Sequence, residues 1–128
     1  MGLFSRKKDK ELVDPEARSP KTGLKYKDLQ LLGVMQQHGA DLSQPRHVLH
    51  YAYFTSRQQA EAAAAEIEQQ HWLVEVNEPL EEYPGQWRLL AQMHGAVLRL
   101  DFVRSSTDLF EQVAARHGGE YDGWEAST

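Results

Sequence analysis

An α+β fold, with one antiparallel sheet backed by helices, is what this sequence predicts, and three observations carry the prediction. Four short runs alternate the character of their side chains with the two-residue period of a strand. Three others repeat apolar residues every three or four positions, the period of a helix. Between the second and third strand runs lies Pro84-Gly85, a turn pair that joins them as a hairpin and sets them antiparallel. A chain of 128 residues with 41% hydrophobic content is one domain by length and can build an ordinary core.

Residues 1–25 read as a disordered basic arm, because Pro15, Pro20, mixed charges and the loss of apolar periodicity after Phe4 leave little to bury. Residues 26–128 are then the domain. Residues 28–38 form a short helix with Leu29 and Leu32 on one side and Leu31, Val34 and Met35 on the other, and Gly39 stops it. Its two-sided apolar character predicts a sandwiched segment. After Pro45, residues 46–55 form a central strand with Val48, His50, Ala52 and Phe54 on one face and Leu49, Tyr51 and Tyr53 on the other.

Ser56 with Gln59 makes a capping-box start, and Ala60, Ala63, Ala64 and Ile67 follow at helical spacing to about residue 70. The small alanines allow close packing on a sheet. Trp72, Val74 and Val76 alternate with Leu73, Glu75 and Asn77 in a second strand, which Pro79 ends. Trp87, Leu89, Ala91 and Met93 alternate with Arg88, Leu90 and Gln92 in a third. Leu100, Val103, Thr107, Phe110, Ala114 and His117 then trace a helical seam. Gly118 and Gly119 fit its C-cap, and Glu120 to Trp124 forms a short aromatic strand in which Gly123 suits a bulge or a close backbone approach. Strand, helix, strand, strand, helix, strand is the order of a ferredoxin-like split βαβ sandwich, a βαββαβ antiparallel sheet, here with an extra N-terminal helix.

Charge is divided along the chain. Residues 1–27 hold eight bases and four acids, a net of +4; from Asp28 onward six arginines face fifteen acids, a net of -9, with no lysine. Nucleic-acid affinity comes largely from Lys and Arg neutralising phosphates, so the acidic domain is poorly suited to RNA and better suited to a basic protein surface. The absence of cysteine excludes a disulfide framework, a thiolate metal cluster and a cysteine nucleophile. No apolar run reaches the roughly 20 residues of a membrane helix, and a cytoplasmic location is expected.

No residue pattern calls for a catalytic, cofactor or metal site. His47 and His50 sit three apart on a strand and point to opposite faces, and His38, His71, His94 and His117 form no helical ligand pair. Glu75, Glu78, Glu81, Glu82 and Asp101 lie near no nucleophile in sequence and read as a solvated rim. Ser105-Ser106-Thr107 has no nucleophile elbow. Tyr51 and Tyr53 invite comparison with base-stacking sheets, but Gln86-Trp87-Arg88-Leu89-Leu90-Ala91 lacks the basic-glycine-aromatic signature of those folds. Core packing is the reading for Tyr51, Tyr53, Trp72 and Trp87.

The string Gly118-Gly119-Glu120-Tyr121-Asp122-Gly123-Trp124 resembles the C-terminal signature of the regulator of ribonuclease E activity B family. Asp41-Leu42-Ser43-Gln44-Pro45-Arg46 leading into residues 48–54 resembles the family's approach to its first strand, and residues 56–67 its alanine-rich helix. The resemblance spans roughly residues 28 to 126. It implies a non-enzymatic regulator that binds ribonuclease E and inhibits its endonucleolytic activity, with ribonuclease E as protein partner and no cofactor. Gly119, Glu120, Tyr121, Asp122, Gly123 and Trp124 are the residues it marks as signature and candidate partner contacts. Two other readings stand beside it: an RNA-binding module that uses the basic arm, and a general protein-interaction domain with another partner.

Overall fold

The computed structural model describes residues 13–127, so the expected disorder of residues 1–12 lies outside the described residues. Two compact units divide the chain, one ending at Leu42 and the other beginning at Ser43.

In the first unit the backbone turns on itself. Gly23 N–H donates to Ser19 O and Ser19 N–H to Leu24 O, both at 2.7 Å, and Arg18 pairs with Lys25 in an isolated bridge. Lys25 Nζ donates to Glu16 at 2.8 Å, and Lys27 Nζ bonds its other oxygen. Those bonds, Lys25 first, hold the Glu16 carboxyl below its ordinary pKa. Helix α1 (Tyr26–Gln37) follows. It buries Asp28, Leu32 and Met35, a single stripe at helical spacing, whereas Val34 is 41% exposed. The expectation of burial on two sides is therefore corrected: of its second side Met35 is buried, Leu31 is only half-buried and Val34 is exposed.

The second unit comprises β1 (Arg46–Phe54), α2 (Arg57–Glu68), β2 (Leu73–Asn77), β3 (Trp87–Ala96), α3 (Leu100–Arg116) and β4 (Glu120–Ala126). Its four strands form one open sheet in the order β2-β3-β1-β4, every neighbouring pair antiparallel. The class is thus mixed α+β. Strict alternation along β1, with every second residue from Arg46 to Phe54 buried, shows that one face meets the core. That face carries Val48, His50, Ala52, Phe54, Leu89 and Ala91 against Ala60, Ala63, Ala64 and Ile67 of α2 and Val103, Phe110, Val113 and Ala114 of α3. Alanine at three of the four buried positions of α2 keeps that helix close to the strands.

Glu66 of α2 reaches α3, accepting from Arg116 Nη2 at 2.7 Å and lying 2.9 Å from His117 Nε2. Both contacts lower the Glu66 pKa, but the pair stands in water and adds little stability. Ser56 caps α2 as its Oγ accepts from Gln59 N–H at 3.2 Å. The reciprocal half of the predicted box is replaced: Gln59 Oε1 accepts instead from the hydroxyls of Thr55 and Ser56. Ser56→Ala is accordingly expected to lower stability by about 1 kcal/mol, read as a shift in urea midpoint at constant slope. No change would show that the cap is not holding the helix.

Candidate functional site

The C-terminal signature starts where α3 ends. Gly118 takes φ +69°, and the amides of Gly118 and Gly119 donate to the carbonyls of Ala115 (3.3 Å) and Ala114 (2.8 Å), a Schellman closure. Gly119 serves a different need. A Cβ there would lie 2.4 Å from two ring carbons of Phe54 and 2.6 Å from the Tyr53 carbonyl oxygen, so the chain must pass as bare backbone. Gly123, at φ +101°, sits where the β1–β4 register shifts between Tyr51 and Ala52, the expected bulge.

Because of that bulge, Tyr121 and Trp124 lie opposite Ala52 and His50, on the core side of the sheet. His50 is 1% exposed, stacked on Phe110 at 4.2 Å and set edge-on to Trp72 at 5.0 Å, with the Tyr121 and Trp124 rings at 5.8 and 6.3 Å. Its Nδ1 is 2.8 Å from the Tyr121 hydroxyl, and its Nε2 is buried without a hydrogen-bond partner. Whichever tautomer is present, a second proton would enter a low-dielectric aromatic box. Burial therefore pushes the His50 pKa down to about 3. The six signature positions divide accordingly: Gly119, Tyr121, Gly123 and Trp124 seat β4 on the core, and Glu120 and Asp122 are exposed.

The other sheet face is built of side-chain rows. Asn77, Arg88, Tyr53 and Glu120 follow one another across the four strands, as do Leu73, Gln92, Leu49 and Glu125. Tyr51 and Tyr53 are half-buried on this face, which corrects their assignment to the core; Trp72 is buried as expected. The β1 alternation decides this, since it commits His50 and Ala52 to the core and turns both tyrosines away. Tyr51 donates to Glu125 Oε1 at 2.7 Å, and the bond to that carboxylate raises the phenol's pKa. His47 stacks parallel on His94 at 4.1 Å and lies 2.8 Å from Gln92 Oε1.

At one end of this face a cleft of about 290 Å³ opens between Tyr53, Asn77 and Arg88 and the loop residues Glu78, Leu80, Tyr83 and Gln86. Arg88 donates from Nε and Nη2 to Asn77 Oδ1 at 3.1 and 2.9 Å. Sequence reading passed over this pair and over Leu80 and Tyr83, which are 65% and 55% exposed. The hairpin prediction placed Asn77 and Arg88 on adjoining strands, but only the register makes them neighbours.

Glu75, Glu78, Glu81, Glu82, Glu120 and Asp122 make no salt bridge among the described residues. Among those residues, no three His, Asp or Glu side chains converge as metal ligands do, and no helix is long and apolar enough to cross a membrane.

An α+β domain whose outer sheet face carries aromatic side chains beside exposed carboxylates is the class of protein defined here. The family model described as Regulator of ribonuclease activity B matches residues 26–126. The chain belongs to that family. No curated protein matches it in sequence.

Proposed function

We propose that this chain is a non-enzymatic, cytoplasmic regulator that binds ribonuclease E and lowers its endonucleolytic activity, so modulating RNA decay. Family membership supports a role in regulating a ribonuclease. The observation that carries the mode of action is the set of exposed carboxylates without cation partners, Glu120 and Asp122 of the signature among them, which suits a basic protein segment and repels phosphates. Glu120, Asp122 and their row neighbours are the contacts in this reading; Gly119, Tyr121, Gly123 and Trp124 act by fixing β4. No catalytic residue, cofactor or metal is assigned.

The organisation proposed with it is a basic arm over residues 1–25 and a domain over residues 26–128. The order β2-β3-β1-β4 in a βαββαβ chain supports the ferredoxin-like split βαβ form. An RNA-binding role for the arm is disfavoured at Lys25 and Lys27, both already bonded to Glu16.

Titration calorimetry against purified ribonuclease E at 50 and 300 mM salt, about a 2.4-fold change in Debye screening length, tests the reading with structured RNA as a parallel ligand. Binding to the enzyme that weakens with salt, and none to RNA, is the expected outcome. Silence toward ribonuclease E would sink it.

A further inference from the structure

We propose that the cleft beneath the β2–β3 loop is a seat for an arginine side chain carried on an extended segment of a partner protein. The inference rests on the protein-binding reading above and adds to it the chemistry and the place of one contact. Asn77, Arg88 and Tyr53 form the floor, and the row they belong to continues to Glu120 of the signature strand. Its volume of about 290 Å³ lies at the lower edge of small-molecule pockets and suits one or two peptide side chains.

Three features select the occupant. Leu80 and Tyr83 leave large apolar surface in water on a loop already fixed by turn bonds, Tyr83 N–H to Leu80 O at 2.9 Å and Gln86 N–H to Tyr83 O at 3.1 Å. A docking segment would thus meet a preorganised wall. Two tyrosines, Tyr53 and Tyr83, line the space, and aromatic rings attract a cation over their faces. Of the cleft's own lining Glu78 and Arg88 carry charge, and Asn77 holds the Arg88 guanidinium. Glu75 and Glu120 stand beside that lining on the same sheet face, Glu81 and Glu82 belong to the wall loop, and Arg57, paired with Glu61, is the other cation near Glu78, so the surroundings are net acidic. A planar guanidinium both stacks on tyrosine and forks onto a carboxylate, which an ammonium does not do as well. RNA fits poorly, since the surplus of carboxylates around the cleft repels its phosphates.

The test uses the full chain labelled with 15N and titrated with tetra-arginine, tetralysine and tetracitrulline peptides and with a tetranucleotide. Ribonuclease E binding is measured in parallel for the wild type, Tyr83→Ala and Glu78→Gln, each checked for an unchanged thermal midpoint. Tetra-arginine is expected to shift the amides of Tyr53, Asn77, Glu78, Tyr83 and Gln86 more strongly than tetralysine, with citrulline silent, and Tyr83→Ala to weaken it about fivefold. Shifts elsewhere, equal response to lysine, tighter binding of the tetranucleotide, or the same shifts on raising protein concentration alone would each overturn the proposal. If ribonuclease E binds Tyr83→Ala and wild type equally, the cleft assignment falls and the regulator reading stands. If tetra-arginine fills the cleft while ribonuclease E does not bind at all, the regulator reading falls and the cleft stands.

Discussion

Gly119→Ala is expected to destabilise the domain by about 3 kcal/mol, the upper part of the range for overpacking a filled site. For a domain of this size that is a drop of roughly 15 °C in thermal midpoint. The new methyl would enter 2.4 Å from Cδ1 and Cε1 of Phe54 and 2.6 Å from the Tyr53 carbonyl oxygen. Neither neighbour yields readily, because Phe54 is 2% exposed within the core and the Tyr53 backbone is paired with Glu120 in the β1–β4 ladder. Gly118→Ala is the informative control. Its backbone is left-handed at φ +69°, yet the nearest atom to a Cβ is the terminal amide nitrogen of the Gln59 side chain at 3.0 Å, a contact that needs to give by only a few tenths of an ångström. It should lose only about 1 kcal/mol, the penalty of placing a side chain in the left-handed region. Urea denaturation of both variants checks the ranking, and a Gly118→Ala loss larger than that of Gly119→Ala would overturn it.

Acid should unfold this protein through His50. With a folded pKa of about 3 against an ordinary 6.5, the unfolded chain binds the proton and the folded chain refuses it throughout that interval. The group's contribution is whole above pH 6.5 and is lost as pH falls, by about 1.4 kcal/mol per unit through the middle of the interval. Down to pH 3 the sum is on the order of 5 kcal/mol, a large share of the stability of a small domain. Glu16 and Glu66, whose pKa values are lowered, add losses of the same sign, but only at and below the ordinary carboxylate range near 4.5. Between pH 6.5 and 5 those carboxylates lie outside the interval, and the difference in slope between the wild type and a His50 variant isolates His50. His50→Phe, which keeps a ring against Phe110 and Trp72, is expected to flatten that slope by about one proton's worth while lowering stability at pH 7 by about 1 to 2 kcal/mol for the lost Tyr121 bond. Equal slopes in wild type and variant would show that the imidazole is not excluded from protonation.

Much of the second unit was legible in the sequence. The alternation of Val48, His50, Ala52 and Phe54 against Leu49, Tyr51 and Tyr53 named the two faces of β1 correctly, and the stepped seam gave α3 its inward stripe at Val103, Thr107, Phe110 and Ala114, although Leu100 at its start is exposed and His117 at its end is only half-buried. Gly123 was marked for a bulge and takes one. The assignments that failed share a cause. Tyr51 and Tyr53 were placed in the core because aromatic residues are usually buried, although their own alternation set them on the face away from His50. Leu31 and Val34 looked like a second buried stripe of α1, yet amphipathic pattern says what a face prefers and not what is there to cover it.

The candidate site was only half legible, and Gly118-Gly119 shows where the limit falls. Two adjacent glycines after a helical seam suffice to predict a C-cap, because the left-handed requirement is local. That the second glycine exists to clear the Phe54 ring depends on β4 lying beside β1, from which it is separated by more than sixty positions. In the same way, charge along the chain determined by itself that residues 28–128 are acidic, since charge is a property of composition. Element order and strand periodicity followed from the short-range geometry of helix and strand. Only the tertiary structure decided that His50 is sealed in an aromatic box, that Tyr121 and Trp124 turn inward while Glu120 and Asp122 remain outside, and that Arg88 and Tyr83 frame a cleft. Each of those depends on strand register, where a shift of one residue exchanges the two faces, and register is fixed by contacts between residues far apart in the chain.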